Sequence, residues 1–600
     1  GKKTIPIWLA SFLAFKLDLL GGEYITSSHG ISVKNATKDL NCQGSQYLPE
    51  ESMEFVNKIQ EIFNKTEKDR TYEIKIASTD NPLIDEKVLA NIDDGVDLYV
   101  EYLKSGVAQK INLDLIKEIK DKIVIESVGG SAYRTLSRVL KKLDISDKFT
   151  WFDTEEDSFF HSIGKYDHTP KGEKAFYDYS VDATVVAKKR SGEKFFPVIE
   201  TMHYDERLTK LPVGTAVLIT DPDHDRLTVT QTEKADKISE LEKAGIDYVR
   251  LNNDLILTVF TANQAFLMLM DFWSKQLKSQ NLWNNHPRFM IKTTASAISW
   301  DEWAKKQGIK VVNVPVGFKE IANIMKKVEL KLKNNPEKEV IIDDVLGNSI
   351  NLGVNPRLVF AGEESGGMIM GTEELIKSQN GRFAIAMREK SATEAIIVAS
   401  ALLAKLQKEQ TPLSKYLVQI FEENNIIGRF DTRVDIAYYN ESEPDINKLK
   451  KEKVLGEAKR TKNDLFYLSM AMGVKKGIMT LGDVKEVLND SFKSLIFDNL
   501  VSIKFVGDGT YLEFTDKYIE IRPSGTDAKT KAYGGGSDKA ILETYANIMG
   551  NYSGDRTELH KKFISDKFYN STKDEAMKYY LEFVDKDANN EPFEIPEYNF

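Results

Sequence analysis

The sequence predicts a multidomain α/β protein: three successive α/β domains, followed by a further, more charged C-terminal domain. Three observations predict it. A length of 600 residues suggests about four domains. Strand-like apolar runs alternate with helical patterns in three successive blocks, the order expected of βα units. One of these runs, Ala216-Val217-Leu218-Ile219-Thr220, reads as a strand buried on both faces, and it stops at Asp221-Pro222-Asp223-His224-Asp225-Arg226. That acidic loop would lie at the carboxyl end of its strand, where open α/β sheets place their ligands. Domain limits are expected at 1–118, 119–254, 255–423 and 424–600.

Composition narrows the function. The chain is 41% hydrophobic, enough to bury several cores, and its net charge of -10 argues against a general nucleic-acid binder, which needs a concentrated basic face. A single cysteine, Cys42, allows no intramolecular disulfide and fits a reducing, cytoplasmic location. Lys2-Lys3 and the apolar residues 5–15 imitate a secretory signal. Pro6, Lys16 and Asp18 interrupt that pattern, no small-residue cleavage site follows, and the better reading is a core helix over 8–19. No stretch is long enough to span a bilayer, so no membrane partner is expected.

The elements follow in order. Residues 23–26 read as a strand that empties into Ser27-Ser28-His29-Gly30, where a hydroxyl beside His29 suits a nucleophile or phosphoryl acceptor; a plain turn is the alternative. Helices are expected over 56–63 and 96–104, with a strand over 72–76. The second block opens with Lys122 to Glu126 and a helix over 133–143, then a loop over 161–170, a helix over 177–186 and the strand 213–220. Charged intervals at 188–194 and 233–243 read as solvated excursions. In the third block we expect a helix over 255–273, a strand over 288–293, a helix over 300–307 ending at Gly308, and a strand over 310–314. The loop Val316-Gly317-Phe318-Lys319 comes next, then a strand over 358–360 that runs into Ala361-Gly362-Glu363-Glu364-Ser365-Gly366-Gly367, and a helix over 392–406. In the last block a strand over 518–521 leads into Arg522-Pro523-Ser524-Gly525-Thr526.

Three of these loops carry chemistry in their residue types. Three neighbouring carboxylates repel unless a cation neutralises them, and hard oxygens without cysteine favour Mg²⁺; a solvated acidic turn is the alternative. An EF-hand fails, because Arg226 stands at the glycine position and Thr232 at the bidentate glutamate. Glu363 and Ser365 between glycines can hydrogen-bond vicinal sugar hydroxyls, or form only a glycine-rich hairpin. Arg522, Ser524 and Thr526 around Gly525 resemble an anion nest for a phosphate, with a proline turn as the alternative, and no GxxxxGK[ST] loop is present.

Taken in order, the loops at Ser28-His29, Asp221, Gly362 and Arg522 resemble those of the α-D-phosphohexomutases, the phosphoglucomutase/phosphomannomutase family. The resemblance runs from the first residues to about Tyr533. Thr26-Ser27-Ser28-His29 is similar to the family's Thr-Ala-Ser-His loop, with Asn35 and Lys38 at the family spacing. Asp221-Pro222-Asp223-His224-Asp225-Arg226 is similar to its Asp-Gly-Asp-Ala-Asp-Arg metal loop. Gly317-Phe318-Lys319 and Gly362-Glu363-Glu364-Ser365-Gly366 resemble the sugar-binding loops, and Arg522 to Thr526 the phosphate-binding loop. Departures are Gly30-Ile31 in place of Asn-Pro, Asp527-Ala528 in place of Glu-Pro, and only 27 residues before Ser28, fewer than the family's amino-terminal segment with its Gly-Thr-Ser-Gly motif.

The resemblance implies mixed sheets in the three α/β domains and a C-terminal α+β domain, arranged around a central cleft that closes on substrate. It implies an isomerase of the phosphotransferase type that interconverts hexose 1-phosphate and 6-phosphate, most readily of glucose, with hexose 1,6-bisphosphate as activator. Ser28 would be the phosphoserine, and Asp221, Asp223, Asp225 and an oxygen on Ser28 would hold Mg²⁺. His29, Lys38, Arg226 and Lys390 are unranked candidates for orienting the phosphoryl group and moving its proton. Gly317, Lys319, Glu363, Ser365, Lys390, Arg522, Ser524, Gly525 and Thr526 would bind the sugar phosphate. The chain would be a monomer or homodimer. Two alternatives stand beside this reading: a non-catalytic phosphosugar-binding relative, and a mutase of glucosamine or N-acetylglucosamine phosphate.

Overall fold

A computed structural model describes residues 4–26, 28, 30, 36–69, 92–167, 176–178, 181–188, 194–440, 443, 445–524 and 528–584. The first helix, Ile7–Lys16, buries Trp8, Leu9, Phe12 and Phe15. It ends where Asp18 turns into the left-handed region, and the chain returns as the antiparallel strands Gly21–Ile25 and Thr37–Asn41. Helices Pro49–Asp69, Ile92–Ser105 and Lys110–Lys117 complete the described part of this block. The strand expected over 72–76 lies outside the described residues.

The second sheet has six strands, ordered Asp247–Arg250, Leu255–Val259, Leu227–Lys234, Ala216–Thr220, Ile123–Glu126 and Phe149–Phe152. The last three run parallel, and the pairings at the other end are antiparallel. All residues of Ala216–Thr220 are buried, as a strand covered on both faces requires.

Several expected elements need correction here. The helix expected over 255–273 begins as the strand Leu255–Val259. The helix itself, Ala262–Ser279, starts only where Thr261 and Gln264 form a reciprocal cap. The limit expected at 254/255 therefore cuts one sheet, and a limit after Val259 fits the strands better. Among the described residues of 177–186 there is no helix either. Phe176–Asp178 pairs with Lys165–Asp167, and Asp182 turns the chain by accepting from the backbone and hydroxyl of Thr184. In the interval 233–243, Glu233 is buried and a helix, Ile238–Ala244, follows.

The third sheet orders Lys310–Val314, Arg288–Thr293, Arg357–Gly362 and Met368–Met370, with only the last strand antiparallel. Helices Ile298–Gln307, Phe318–Asn334 and Ala392–Glu409 cover it. The C-terminal sheet is antiparallel throughout: Phe430–Ala437, Lys529–Gly536, Lys517–Pro523, Thr510–Phe514 and Leu500–Phe505. Its helices include Ile446–Lys475, Lys539–Gly550 and Asp566–Phe583. One hydrophobic core runs from Trp8 to Ile426 through the first three blocks. Among the described residues, the fully buried members of the C-terminal core other than Leu48 lie from Phe466 onward, with Phe430, Val434, Ile436 and Leu465 packed against them. Among the described residues no helix is long and apolar enough to cross a membrane.

Candidate active site

The acidic loop joins two antiparallel strands, with Thr220 opposite Leu227. Asp221 closes it by accepting from the backbone N–H groups of Asp225 and Arg226 at 3.0 and 3.1 Å, while His224 takes a left-handed conformation at φ 56°. The loop is not a solvated turn: Asp221, Asp223 and Asp225 are 5%, 3% and 0% exposed.

Three cations enclose these carboxylates. Lys38 Nζ lies 2.9 Å from Asp223 Oδ2 and 3.4 Å from Asp225 Oδ2. Arg226 Nε lies 3.8 Å from both Asp221 Oδ2 and Asp225 Oδ1, and Lys390 Nζ lies 3.7 Å from Asp225 Oδ2. Burial alone would raise the Asp225 carboxyl, but Lys390, Lys38 and Arg226 together hold it below the usual range. Asp221 goes the other way, raised by burial and by the charges of Asp225 and Asp223. Lys38 is kept protonated against burial by Asp225 and Asp223, so its contribution is a fixed positive charge. His224 is neutral: burial pushes it down to about 3, and its Nε2 lies 3.0 Å from Thr393 Oγ1.

The serine loop reaches this cluster through Thr26. Its hydroxyl donates to Asp223 Oδ1 and accepts from the backbone N–H of Ser28 at 2.8 Å. Ser28 sits at the turn with φ 59°. His29 and the neighbouring Ser27 lie outside the described residues. Sequence reasoning placed Thr26 at the head of the Thr26-Ser27-Ser28-His29 loop but gave it no role of its own.

The hairpin Glu363 to Gly367 is joined to the acidic loop through the backbone: Leu227 N–H donates to Gly366 O at 3.0 Å, and Arg226 Nη1 donates to Ser365 O at 3.3 Å. Glu363 accepts from Ser365 Oγ at 2.6 Å and from Lys390 Nζ at 2.9 Å. Gly366, at φ 99°, makes the turn, and at Gly367 a Cβ would fall 2.3 Å from Lys390 Cδ, so the close approach needs glycine. Glu364 points away from this cluster and accepts from Thr293 Oγ1 at 2.8 Å.

The remaining predicted residues lie on other elements. Gly317, at φ 129°, precedes the helix Phe318–Asn334, which carries Lys319 in its first turn. Arg522 is 8% exposed and pairs bidentately with Asp508, Nε to Oδ1 at 3.1 Å and Nη2 to Oδ2 at 2.5 Å. Asp508 was not anticipated; it sits between Gly507 and Gly509, a turn pattern that names no partner. Ser524 is buried, and its carbonyl accepts from Arg460 Nη1 at 2.8 Å. Gly525 and Thr526 lie outside the described residues. A cavity of about 1070 Å³ separates the second, third and C-terminal sheets, with Arg250, Asn263, Glu364, Arg433 and Tyr533 in its wall. The Asp221 loop is not part of that wall.

Two carboxylate oxygens, Asp221 Oδ2 and Asp225 Oδ1, are buried and accept no hydrogen bond. Hard oxygens left over in this way suit a Mg²⁺ ion. Among the described residues, however, no three acidic, histidine or cysteine side chains converge as a ready cage.

Residues 263–423 match the model of the phosphoglucomutase/phosphomannomutase α/β/α domain III. A curated relative, the phosphoglucomutase of Staphylococcus saprophyticus, is 23% identical over 549 residues, covering 90% of this chain and 78% of its own. Among solved structures, the Paramecium pp63/parafusin phosphoglucomutase in its open form is 13% identical with a TM-score of 0.49, covering 93% of this chain and 82% of its own. The Aspergillus fumigatus N-acetylphosphoglucosamine mutase in complex with GlcNAc-6P and magnesium is 11% identical with a TM-score of 0.43, covering 92% and 93%. Residues 263–423 thus resemble one domain of the phosphoglucomutase/phosphomannomutase type, and most of the chain is similar to a phosphoglucomutase.

Proposed function

We propose that the chain is a phosphohexomutase that interconverts hexose 1-phosphate and 6-phosphate, with glucose as the first substrate to test and a hexose 1,6-bisphosphate as intermediate and activator. The observation that carries the reading is the junction of three loops distant in sequence. Thr26 ties the serine loop to Asp223, and Arg226 and Leu227 tie the acidic loop to the Ser365 hairpin.

In this reading Ser28 carries the phosphoryl group. Asp221, Asp223 and Asp225 would hold Mg²⁺, which when bound supplies a Lewis acid for the phosphoryl oxygens. Phosphoryl transfer depends mainly on positioning and charge neutralisation. Lys38, Arg226 and Lys390, all held in their charged forms by the carboxylates around them, provide that neutralisation. Glu363 and Ser365 accept and donate hydrogen bonds at the rim and would hold sugar hydroxyls. Arg522, Ser524 and Lys319 would hold the phosphate that is not being transferred, and a cytoplasmic location goes with this chemistry.

The test is a coupled assay with Mg²⁺ and a trace of glucose 1,6-bisphosphate, run on the 1-phosphates of glucose, mannose, glucosamine and N-acetylglucosamine. Turnover of the neutral hexoses supports the reading. Turnover confined to the amino sugars moves it to that substrate class, and turnover of none removes it.

A further inference from the structure

Between Asp223 and Asp225 the acidic loop carries His224, which is fully buried and left-handed at φ 56°. Residues other than glycine seldom take that conformation, and here the neighbours hold the turn from two directions. The His224 carbonyl accepts from Trp8 Nε1 at 3.0 Å and from the Ala392 N–H at 3.4 Å. Its ring Nε2 lies 3.0 Å from Thr393 Oγ1, in the first turn of the helix Ala392–Glu409. An alanine, which the motif that this loop resembles has at the position, would make none of the ring's contacts.

The partners of His224 are themselves fixed. Trp8, on the first helix, stacks on Tyr99 with ring centroids 4.2 Å apart, and it lies at 61° to the His224 ring, 6.1 Å away. Tyr99 OH lies 2.9 Å from Ser391 Oγ, and Ser391 caps the helix Ala392–Glu409 by accepting from the Glu394 N–H. Trp8, Tyr99, Ser391 and Thr393 are all buried. Lys390 immediately precedes this cap, with Nζ 3.7 Å from Asp225 Oδ2 and 2.9 Å from Glu363 Oε1. The short segment 390–393 therefore holds the acidic loop twice, by charge at Asp225 through Lys390 and by a hydrogen bond at His224 through Thr393. Among the described residues the other ring nitrogen, Nδ1, makes no hydrogen bond, so Thr393 alone fixes the ring in this way.

We propose that His224 is a positioning residue for the acidic loop: its hydrogen bond to Thr393 sets where Asp223 and Asp225 stand relative to Lys390, and so sets the loop's affinity for a divalent cation. The proposal rests on the mutase reading for the identity of that cation, Mg²⁺. His224 supplies no ligand in this account. Groups behind the ligating side chains orient them, and a turn that is already fixed leaves less to be ordered when the cation binds.

The test measures calorimetric Mg²⁺ binding, the melting temperature without metal, and kcat and KM, all at fixed pH on the full chain and its variants. His224→Ala and Thr393→Val should each weaken Mg²⁺ binding by about tenfold or more, the usual effect of losing a group that orients a metal ligand. The double variant should be no worse than either single one, because both remove the same bond. His224→Asn suits the left-handed turn but ends short of Thr393, so it should lose as much affinity as His224→Ala. At limiting Mg²⁺, kcat should fall with the affinity while KM for the sugar phosphate changes little. Tyr416→Phe loses a buried hydrogen bond to Asp271 away from the loop, and it should melt lower with Mg²⁺ affinity unchanged. Wild-type affinity in His224→Ala, Thr393→Val or His224→Asn, additive losses in the double variant, or an affinity that simply follows melting temperature across all variants overturns the proposal, as does a wild-type chain that binds no Mg²⁺. Mg²⁺ affinity governed by the His224 and Thr393 pair, with no turnover of any hexose phosphate, would overturn the mutase reading and leave the positioning role standing.

Discussion

The acidic loop at Asp221 and the C-terminal strand at Arg522 are both buried and both charged, yet they are held by different parts of the molecule. Around Asp221, side chains from the first three blocks meet over one continuous hydrophobic core, and the loops are hydrogen-bonded backbone to backbone. Arg522 rides on a sheet with a core of its own. Among the described residues that unit meets the rest through a small apolar cluster of Ala295 with Tyr518 and Tyr533, and through polar contacts that include Tyr518 OH to Ala295 O at 2.6 Å, Tyr580 OH to Glu320 Oε1 at 2.6 Å, Lys539 to Asp247 at 3.1 Å and Arg433 to Asp182 at 3.9 Å. The difference separates two tasks. Groups that neutralise a transferring phosphoryl must be positioned before substrate arrives. A grip on the far phosphate gains from a unit that can move over the cleft.

The largest effect should come from breaking the fixed half. Asp225→Asn leaves three buried cations short of a charge, and losing one partner of a buried pair costs about 3 to 5 kcal/mol. Thermal unfolding of the whole chain should shift down, and turnover should fall by about a thousandfold or more. A wild-type melting temperature would show that the three cations do not depend on this carboxylate.

Arg522→Ala should act on the other half alone. Truncating one partner of a buried charged contact costs about 2 to 5 kcal/mol, so kcat/KM should drop at least about tenfold. Phosphorylation of Ser28 should survive. Parallel titrations of substrate and of serine phosphorylation check the split, and loss of both together would mean that the halves are not separable.

A smaller effect is expected at the seam. Tyr518→Phe removes a hydrogen bond worth about 1 kcal/mol and leaves the Ala295 carbonyl without that donor. Amide exchange should rise in the C-terminal sheet while residues 216–227 stay protected; equal rises on both sides would contradict two separate cores.

The smallest effect concerns pH. Glu520 is fully buried on the same strand as Arg522, and burial pushes its carboxyl up to about 8. The folded chain therefore holds a proton that the unfolded chain, with a glutamate pKa of about 4.3, gives up. Wild type should lose stability as pH rises from about 4.5 to about 8, and Glu520→Gln should flatten that slope. Melting temperatures measured across this range decide it, and parallel curves for the two proteins would place the slope elsewhere.

Local patterns carried much of the fold. The apolar run 216–220, the Gly308 stop and the glycines of the 362–367 loop are each set by short-range chemistry, and the structure has a strand, a helix end at φ 74° and a hairpin there. The apolar stretch 255–273 misled because its strand and helix are both hydrophobic, so periodicity alone did not show the break that the Thr261 cap makes. Residues 177–186 misled for a different reason: a short hairpin and an aspartate turn set that segment, not its apolar spacing. In the candidate site the acidic and hydroxyl-bearing loops were visible as strings. Their partners were not, because Lys38, Lys390 and Asp225 meet across hundreds of residues, and Asp508 reaches Arg522 only through the register of a hairpin. The separation of the two cores has no signature in any one stretch of sequence.

The central claim is that the loop at Ser28 and the acidic cluster form one phosphoryl-transfer centre. Intact-mass measurement of the full chain, with and without glucose 1,6-bisphosphate and Mg²⁺, tests it most directly, with Ser28→Ala as the comparison. The account predicts one phosphoryl group on the wild type, mapped by fragmentation to Ser28, and none on the alanine variant. A wild-type chain that takes up no phosphate, or takes it up equally well without Ser28, would contradict it.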